Sequence, residues 1–283
     1  MRTGELLKEL KRVFADAGID SSRIDSELIV MEALGFTRVQ LITREDYELT
    51  AQELERVSEM KERRLKFEPM QYILGHCEFM GLDFSLNERT LIPRPDTECL
   101  VERVMEYIKL NSAKTVLDIG TGSGAIAVSL AALADVFCVG CDISKNALKM
   151  AAYNGEKNGV KAKTKFVQSD VFENIEGEFD IIVSNPPYIE SDVISTLSPQ
   201  VKDFEPVGAL DGGSDGLKFY RKIAAEAKKY LKYGGLLAFE IGYNQGDAVK
   251  NIMEAQGFAD VSVGKDLAGL DRTVLGTLCK REV

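Results

Sequence analysis

Thr115-Val116-Leu117-Asp118-Ile119-Gly120-Thr121-Gly122-Ser123-Gly124 is the stretch on which the fold turns. Its short apolar run reads as a strand, the glycines as a loop, and Ala125 to Ala134 as the helix that follows. Strand, glycine loop and helix in that order form a nucleotide-type α/β site. The glycines let ligand and backbone approach closely, and the helix N-terminus presents free N–H groups. A second strand, Val136 to Val139, leads to Asp142, 22 residues after Gly120. A carboxylate at that place is positioned to take both ribose hydroxyls of an adenosine.

The loop specifies a nucleoside cofactor better than it specifies which one. With Ala125 it satisfies the loose G-x-G-x-x-G/A dinucleotide pattern, so a nicotinamide dehydrogenase fits it too. Asp118 leans the other way, because a negative charge just before the glycines crowds a pyrophosphate but suits the ammonium and sulfonium of S-adenosylmethionine. The chain's one histidine, His76, is not placed to serve hydride chemistry.

Downstream, Asn146 to Asn158 reads as a helix and Thr164 to Gln168 as a third strand. In Ser169-Asp170-Val171-Phe172, Asp170 is placed to cap an adenine amine while Val171 or Phe172 packs on the ring; an ordinary turn with one buried aromatic reads equally well. Asp180 to Ser184 is a strand uncharged after its first residue, as expected for one buried on both faces of a parallel sheet. It stops at Asn185-Pro186-Pro187-Tyr188. Asn185 offers a side-chain carbonyl, Pro186 a backbone carbonyl without a competing N–H, and Tyr188 a flat face. Two acceptors beside a flat face suit a planar group carrying an NH2: a primary amide, or the amine of adenine or cytosine. Taken alone, the same four residues are also plain strand-ending turn chemistry. Ile189 to Asp215 follows as a long loop of the kind that usually carries function. Leu217 to Tyr230 reads as a helix, Gly235 to Ile241 as a strand, Gln245 to Gln256 as a helix, and Val261 to Val263 and Arg272 to Leu278 as closing strands.

Before the glycine loop the character is different. Residues 1–66 read as helices: Leu6, Leu7, Leu10, Val13 and Phe14 recur at helical spacing, then Ile24, Leu28, Met31 and Leu34, then Leu54, Val57, Met60 and Leu65. Lys61-Glu62-Arg63-Arg64-Leu65-Lys66 reads as a solvated helix face. Over 67–95 two short alternating pieces, Gln71–Leu74 and Phe79–Leu86, are broken by Gly75 and Gly81 and suggest a β-hairpin linker. Leu91-Ile92-Pro93-Arg94-Pro95-Asp96-Thr97-Glu98 then gives a stiff segment suited to lie across an active-site mouth, with Asp96 or Thr97 capping the helix that begins residues 96–283.

Composition limits the partners. A net charge of −10 argues against a duplex binder that works by neutralising phosphates. Residues 1–75 hold 12 Lys+Arg against 15 Asp+Glu, so the helical region is not a basic module either. No apolar run approaches a membrane span and the start has no signal-peptide h-region, so a cytoplasmic protein is expected. Cys138 and Cys141 are spaced as CxxC but lie in a strand, where residues three apart face opposite sides. With five cysteines and one histidine, neither a disulfide framework nor a His-rich metal site is expected.

The helical N-terminal region, Gln71-Tyr72-Ile73-Leu74-Gly75, the Leu91 to Glu98 segment, Asp118 to Gly124, Asn185 to Tyr188, Glu205-Pro206, Gly212-Gly213, Asp215-Gly216-Leu217 and Gly269-Leu270-Asp271-Arg272 occur together in one chain. In this combination the chain resembles the bacterial release-factor glutamine methyltransferases, the HemK/PrmC family, over essentially its whole length; Asp96 stands where that family more often has Glu. The resemblance implies an α/β fold, a class I methyltransferase Rossmann-like seven-stranded sheet with a reversed last strand, and an N-terminal helical-bundle domain joined by a β-hairpin linker. It implies S-adenosylmethionine, released as S-adenosylhomocysteine, with no metal. The cofactor would be held by Asp118, Gly120, Thr121, Gly122, Ser123, Gly124, Asp142, Ile143, Asp170, Val171 and Asn185. The substrate would be the glutamine of a Gly-Gly-Gln motif in class 1 peptide-chain release factors, bound by Asn185, Pro186, Pro187 and Tyr188, with Asn185, Pro186 and Tyr188 catalytic. The helical domain would help dock the release factor, with no direct duplex nucleic-acid binding and no membrane. A ribosomal-protein glutamine methyltransferase shares nearly every motif. A nucleic-acid adenine or cytosine amino methyltransferase shares the Asn-Pro-Pro-Tyr turn but needs a basic face that this chain lacks.

Overall fold

A computed structural model describes residues 1–279. The chain divides into two units, Met1–Gly75 with Ser198–Phe204, and His76–Leu197 with the residues from Glu205 onward.

The first unit is helical: α1 (Thr3–Asp16), α2 (Ser22–Leu34), α3 (Arg38–Thr43), α4 (Ala51–Leu65) and α5 (Met70–Leu74). Thr37 and Thr50 start α3 and α4 with reciprocal capping boxes, in which Gln40 and Glu53 reach back to the capping residue's N–H. Leu6, Leu10 and Phe14 of α1 meet Ile29 and Val30 of α2, Val57 of α4 and Met70 and Ile73 of α5 in one core. Two expectations change here. Gln71–Leu74 is a single helical turn closed by Gly75 at φ 79°, because four residues of alternation fit one turn of helix as well as a strand. On α2 the buried face is Asp25, Ser26, Ile29, Val30 and Ala33, while Ile24 is 51% exposed. The face is rotated because Asp25 turns inward to meet Arg64 of α4, at 2.7 Å, and both side chains are about as buried as the apolar core. Arg64 is therefore a core residue and not part of a solvated face.

In the second unit β1 (His76–Phe79) and β2 (Leu82–Ser85) form the hairpin, and its Phe79 and Phe84 pack edge to face in one core with Leu100, Val101 and Val104 of α6 (Pro95–Asn111). The elements β3 (Thr115–Ile119), α7 (Ala125–Leu133), β4 (Phe137–Asp142), α8 (Lys145–Lys157), β5 (Thr164–Gln168) and β6 (Phe179–Ser184) follow. After them come α9 (Pro199–Lys202), which belongs to the first unit, and then, in the second, α10 (Lys218–Ala227), β7 (Leu231–Glu240), α11 (Gly246–Ala255), β8 (Phe258–Lys265) and β9 (Asp271–Leu278). Seven strands make one sheet in the order β5-β4-β3-β6-β7-β9-β8, parallel except for β9, which runs antiparallel to both its neighbours. Consecutive strand residues alternate between two cores. Val116 and Ile181 join α6 and α7 on one face, and Leu117 and Ile182 join α10 and α11 on the other. Cys138 and Cys141 divide in the same way.

This strand order places the site. From β3 the chain moves outward through β4 to β5, and from β6 it moves the opposite way to β7, so the order reverses between β3 and β6. Ligands of open α/β sheets bind at the carboxyl ends of the strands at such a switch point. Ile119 pairs with Ser184, and the Ser184 hydroxyl donates to the Ile119 carbonyl at 2.7 Å. The residues that follow, Gly120 and Asn185, therefore leave the sheet side by side. Among the described residues no helix is long and apolar enough to cross a membrane.

Candidate active site

The glycine loop is held from below by Asp118. Its Oδ2 accepts from the Thr121 hydroxyl at 2.6 Å and the Ala127 N–H at 3.3 Å, and Oδ1 is buried with no partner. Burial pushes this carboxyl up to about 7. Gly120, Gly122 and Gly124 lie at φ 73°, 56° and 83°, where a side chain is strained, and a Cβ on Gly124 would stand 3.0 Å from that of Ala151. The Gly120 and Thr121 N–H groups both donate to the Cys141 carbonyl, and Ser123 is buried, its carbonyl accepting from the Asn154 amide. Asp142 ends β4 facing the loop: Oδ2 accepts from the Gly122 N–H at 3.0 Å and Oδ1 from the Ser144 N–H at 2.8 Å. Burial raises the Asp142 carboxyl, with those backbone N–H groups opposing it. Ile143 beside it is 69% exposed, an apolar face left at the mouth. These residues fit an adenosine-type cofactor. The loop backbone is open to close approach, each Asp142 oxygen retains acceptor capacity, and one oxygen of Asp118 has an unfilled one.

The β5 turn is less simple than the sequence suggests. Asp170 is ion-paired with Lys222 at 2.7 Å. Phe172 stacks on Tyr230 at 4.5 Å, and both it and Val171 are buried in the second core. Val171 holds φ 57°, rare for a β-branched residue, and its carbonyl accepts from the Ser169 hydroxyl and the Cys141 thiol. That turn is held by its neighbours in a conformation it would not choose alone.

On the other side of the switch point Asn185 is half-buried and its Nδ2 donates to the Thr97 hydroxyl at 3.2 Å. Pro186 is buried, Pro187 and Tyr188 partly so. Burial pushes the Tyr188 phenol up to about 12. Its backbone carbonyl accepts from Gln245 Nε2 at 3.0 Å, and Gln245 Oε1 accepts from the Gly242 N–H. The long 189–215 loop backs this turn. The Ile189 N–H donates to the Leu210 carbonyl and the Gly212 N–H to the Ile189 carbonyl, and the absent Cβ of Gly212 would lie 2.8 Å from both the Pro187 carbonyl oxygen and Tyr188 Cα. Gly212→Ala is therefore expected to displace the Asn185 turn and lower kcat by about 100-fold, the cost of misplacing a reacting group by about 1 Å. Steady-state kinetics beside an unchanged thermal melt would check it.

Arg94 and Glu205 form an ion pair that joins the Pro93-Arg94-Pro95 segment to Glu205-Pro206. Burial raises the Glu205 carboxyl and Arg94 opposes the rise. At the start of α6 the expected caps do other work. Arg94 is the N-cap and Pro95 the first helical residue; Asp96 pairs with Arg272 of β9 at 3.2 Å, and Thr97 turns inward against Asn185. The sequence reading, which took Thr97 for a cap, missed its contact with Asn185.

Sheet order, reversed strand and glycine loop at the switch point define a class I methyltransferase. Two solved structures share that fold: the hMettl16 catalytic domain in complex with an RNA hairpin, with a TM-score of 0.60 at 16% identity over 78% of this chain and 83% of that one, and a methyltransferase from Pyrococcus furiosus, with 0.53 at 20% over 71% and 90%. The family described as PrmC N-terminal domain matches residues 5–75, and the methyltransferase small domain matches 96–198. The release factor glutamine methyltransferase of Clostridium acetobutylicum is 47% identical over 89% of this chain and 90% of its own length. That of Agrobacterium fabrum is 41% identical over 96% of each. The chain belongs to the release factor glutamine methyltransferase family.

Proposed function

We propose that this protein is a cytoplasmic enzyme that transfers a methyl group from S-adenosylmethionine to the side-chain amide nitrogen of the Gly-Gly-Gln glutamine of class 1 release factors. The observation that carries this reading is the emergence of the glycine loop and the Asn185 turn side by side at the switch point. Asp142 and the Gly120 to Gly124 loop, with Ile143, Asp170 and Val171 at the rim, hold the cofactor. Asn185, Pro186, Pro187 and Tyr188 hold the glutamine, and the helical first unit takes part in docking the release factor.

The chemistry needs positioning more than proton transfer. An amide nitrogen is a poor nucleophile because its lone pair is delocalised into the carbonyl. When bound, the cofactor supplies an electrophilic methyl on a sulfonium. Asn185 Oδ1 and the Pro186 carbonyl accept the two amide hydrogens and aim the nitrogen, while Tyr188 packs on the amide plane. Near-attack geometry of this kind is worth on the order of 7–11 kcal/mol.

The direct test supplies labelled S-adenosylmethionine with a purified release factor, a ribosomal fraction and DNA, and locates the label by mass spectrometry. Label on the Gly-Gly-Gln glutamine is expected; label confined to a ribosomal protein or to DNA overturns the substrate. For the cofactor half, Asp142→Ala should raise the Kd for S-adenosylhomocysteine by about 10- to 100-fold, since a hydrogen bond to a charged group is worth about 1.5–3 kcal/mol. Calorimetry measures it, and an unchanged Kd would remove Asp142 from the cofactor site.

A further inference from the structure

The Asn185 to Tyr188 turn is held at both ends, by two parts of the chain far apart in sequence. At its front, Asn185 Nδ2 donates to the Thr97 hydroxyl at the start of α6. At its back, the 210–216 segment grips it through the backbone. The Ile189 N–H donates to the Leu210 carbonyl and the Gly212 N–H to the Ile189 carbonyl, while Gln245 Nε2 bridges the carbonyls of Tyr188 and Gly216. No slack lies between segment and turn: a Cβ on Gly216 would overlap the Tyr188 carbonyl oxygen, as one on Gly212 would meet Tyr188 Cα.

These two holders are joined by the ion pair of Arg94 with Glu205. Arg94 is the N-cap of α6, the helix that carries Thr97, and Glu205 leads through Pro206 and a short 3-10 turn into the buried Leu210. The contacts therefore form a closed ring, from Arg94 to Glu205, along 206–212 to Ile189, back through the turn to Asn185, and by Thr97 to α6 again.

We propose that Arg94 and Glu205 are a positioning pair whose contact closes this ring and fixes where the Asn185 turn stands against the incoming glutamine. This rests on the reading of that turn as the glutamine site. Arg94 is the fixed end. Pro93 and Pro95 stiffen the chain on either side of it, Ile92 is 2% exposed, and α6 runs on into its core through Leu100 and Val101. Glu205 is the placed end. Its side chain is 1% exposed, and its Oε2 is buried without a hydrogen-bond partner. A buried carboxylate stripped of its cation is costly, and the loop relieves that cost by carrying Glu205 toward water. Close packing of Gly212 and Gly216 on the turn passes such a movement straight to Pro187 and Tyr188.

The experiment compares wild type, Arg94→Met, Glu205→Ala, Glu205→Gln and the Arg94→Met, Glu205→Ala double variant as full-length proteins with a release factor. Arg94→Met and Glu205→Ala should each lower kcat by roughly 10- to 100-fold, the cost of a misplaced reacting group. KM for the release factor and Kd for S-adenosylhomocysteine should stay within about threefold, since the cofactor loop is held by Asp118 and Asp142. The two losses should not add: once one partner is gone, removing the other should change kcat by less than about threefold. Glu205→Gln, whose amide oxygen still accepts from Arg94, should recover to within about fivefold of wild type. A second readout needs no turnover. Hydrogen exchange at the Ile189 and Gly212 amides should speed up in Arg94→Met and Glu205→Ala, while the β3 amides stay protected. If wild type methylates no release factor, the substrate reading fails and the exchange rates still decide the ring. Should Arg94→Met fail to fold, Glu205→Ala carries the same prediction. Full kcat in the two single variants, a raised KM alone, or unchanged exchange at Ile189 and Gly212 would overturn the proposal.

Discussion

Asn185→Ala should abolish methyl transfer in practice, lowering kcat by about 100- to 1,000-fold, the loss typical of removing one preorganised polar group from a reacting centre. The Kd for S-adenosylhomocysteine should stay within about tenfold, because the cofactor loop is held by Asp118, Thr121 and Asp142 and not by Asn185. The remaining acceptor, the Pro186 carbonyl, fixes one amide hydrogen and leaves the nitrogen free to swing about it. Asn185→Asp gives a sharper comparison, since it keeps the shape and the outward acceptor. It loses the N–H that holds the side chain to the Thr97 hydroxyl, so it should be nearly as inactive as the alanine variant. Single-turnover measurement with saturating cofactor separates the chemical step from binding. Unchanged turnover in Asn185→Ala would falsify the acceptor role.

These effects centre on residues that the sequence makes visible to different degrees. The glycine loop, Asp142 and the Asn185 turn announce themselves because special backbone conformations and strand ends require particular residue types: the three loop glycines all hold left-handed φ, and the turn follows an apolar strand without interruption. The reversed β9 came from family resemblance and not from its own residues, since neither strand order nor direction is written in a strand's composition. Thr97 is harder to read. Thr97 occupies a helix start, where threonine already has an ordinary explanation as a cap, and its pairing with Asn185 spans 88 positions. Phe172 errs in the opposite sense: an aromatic beside a cofactor turn invites a ring-stacking role, and the structure spends it on Tyr230 in the core.

The N-terminal unit shows the same limit in its stability, where the expected result is that Arg64→Ala unfolds that unit far more readily than any single apolar truncation at its surface. Periodicity assigned the α2 face from its apolar residues, and a buried ion pair cannot be seen that way, because Asp25 and Arg64 each read as solvent-facing in their own helices. In the structure Arg64 Nε meets Asp25 Oδ2, its other nitrogens reach the Glu68 carbonyl and the Ser21 hydroxyl, and Ser21 in turn donates to Asp25. Removing Arg64 leaves the aspartate buried and uncompensated, which costs about 3–5 kcal/mol, whereas replacing both members with apolar residues of similar volume is often neutral. For a unit of this size that loss corresponds to a Tm lower by on the order of 15 °C. Asp25→Leu combined with Arg64→Met should recover most of it. Hydrogen exchange of the α2 and α4 amides follows this unit apart from the methyltransferase sheet, so the full-length chain serves. If Arg64→Ala and the double variant protect those amides equally, the pair is not what holds α2 against α4. If the double variant is also stable but methylates the release factor more slowly, the polar pair serves the proposed docking of the release factor and not the fold.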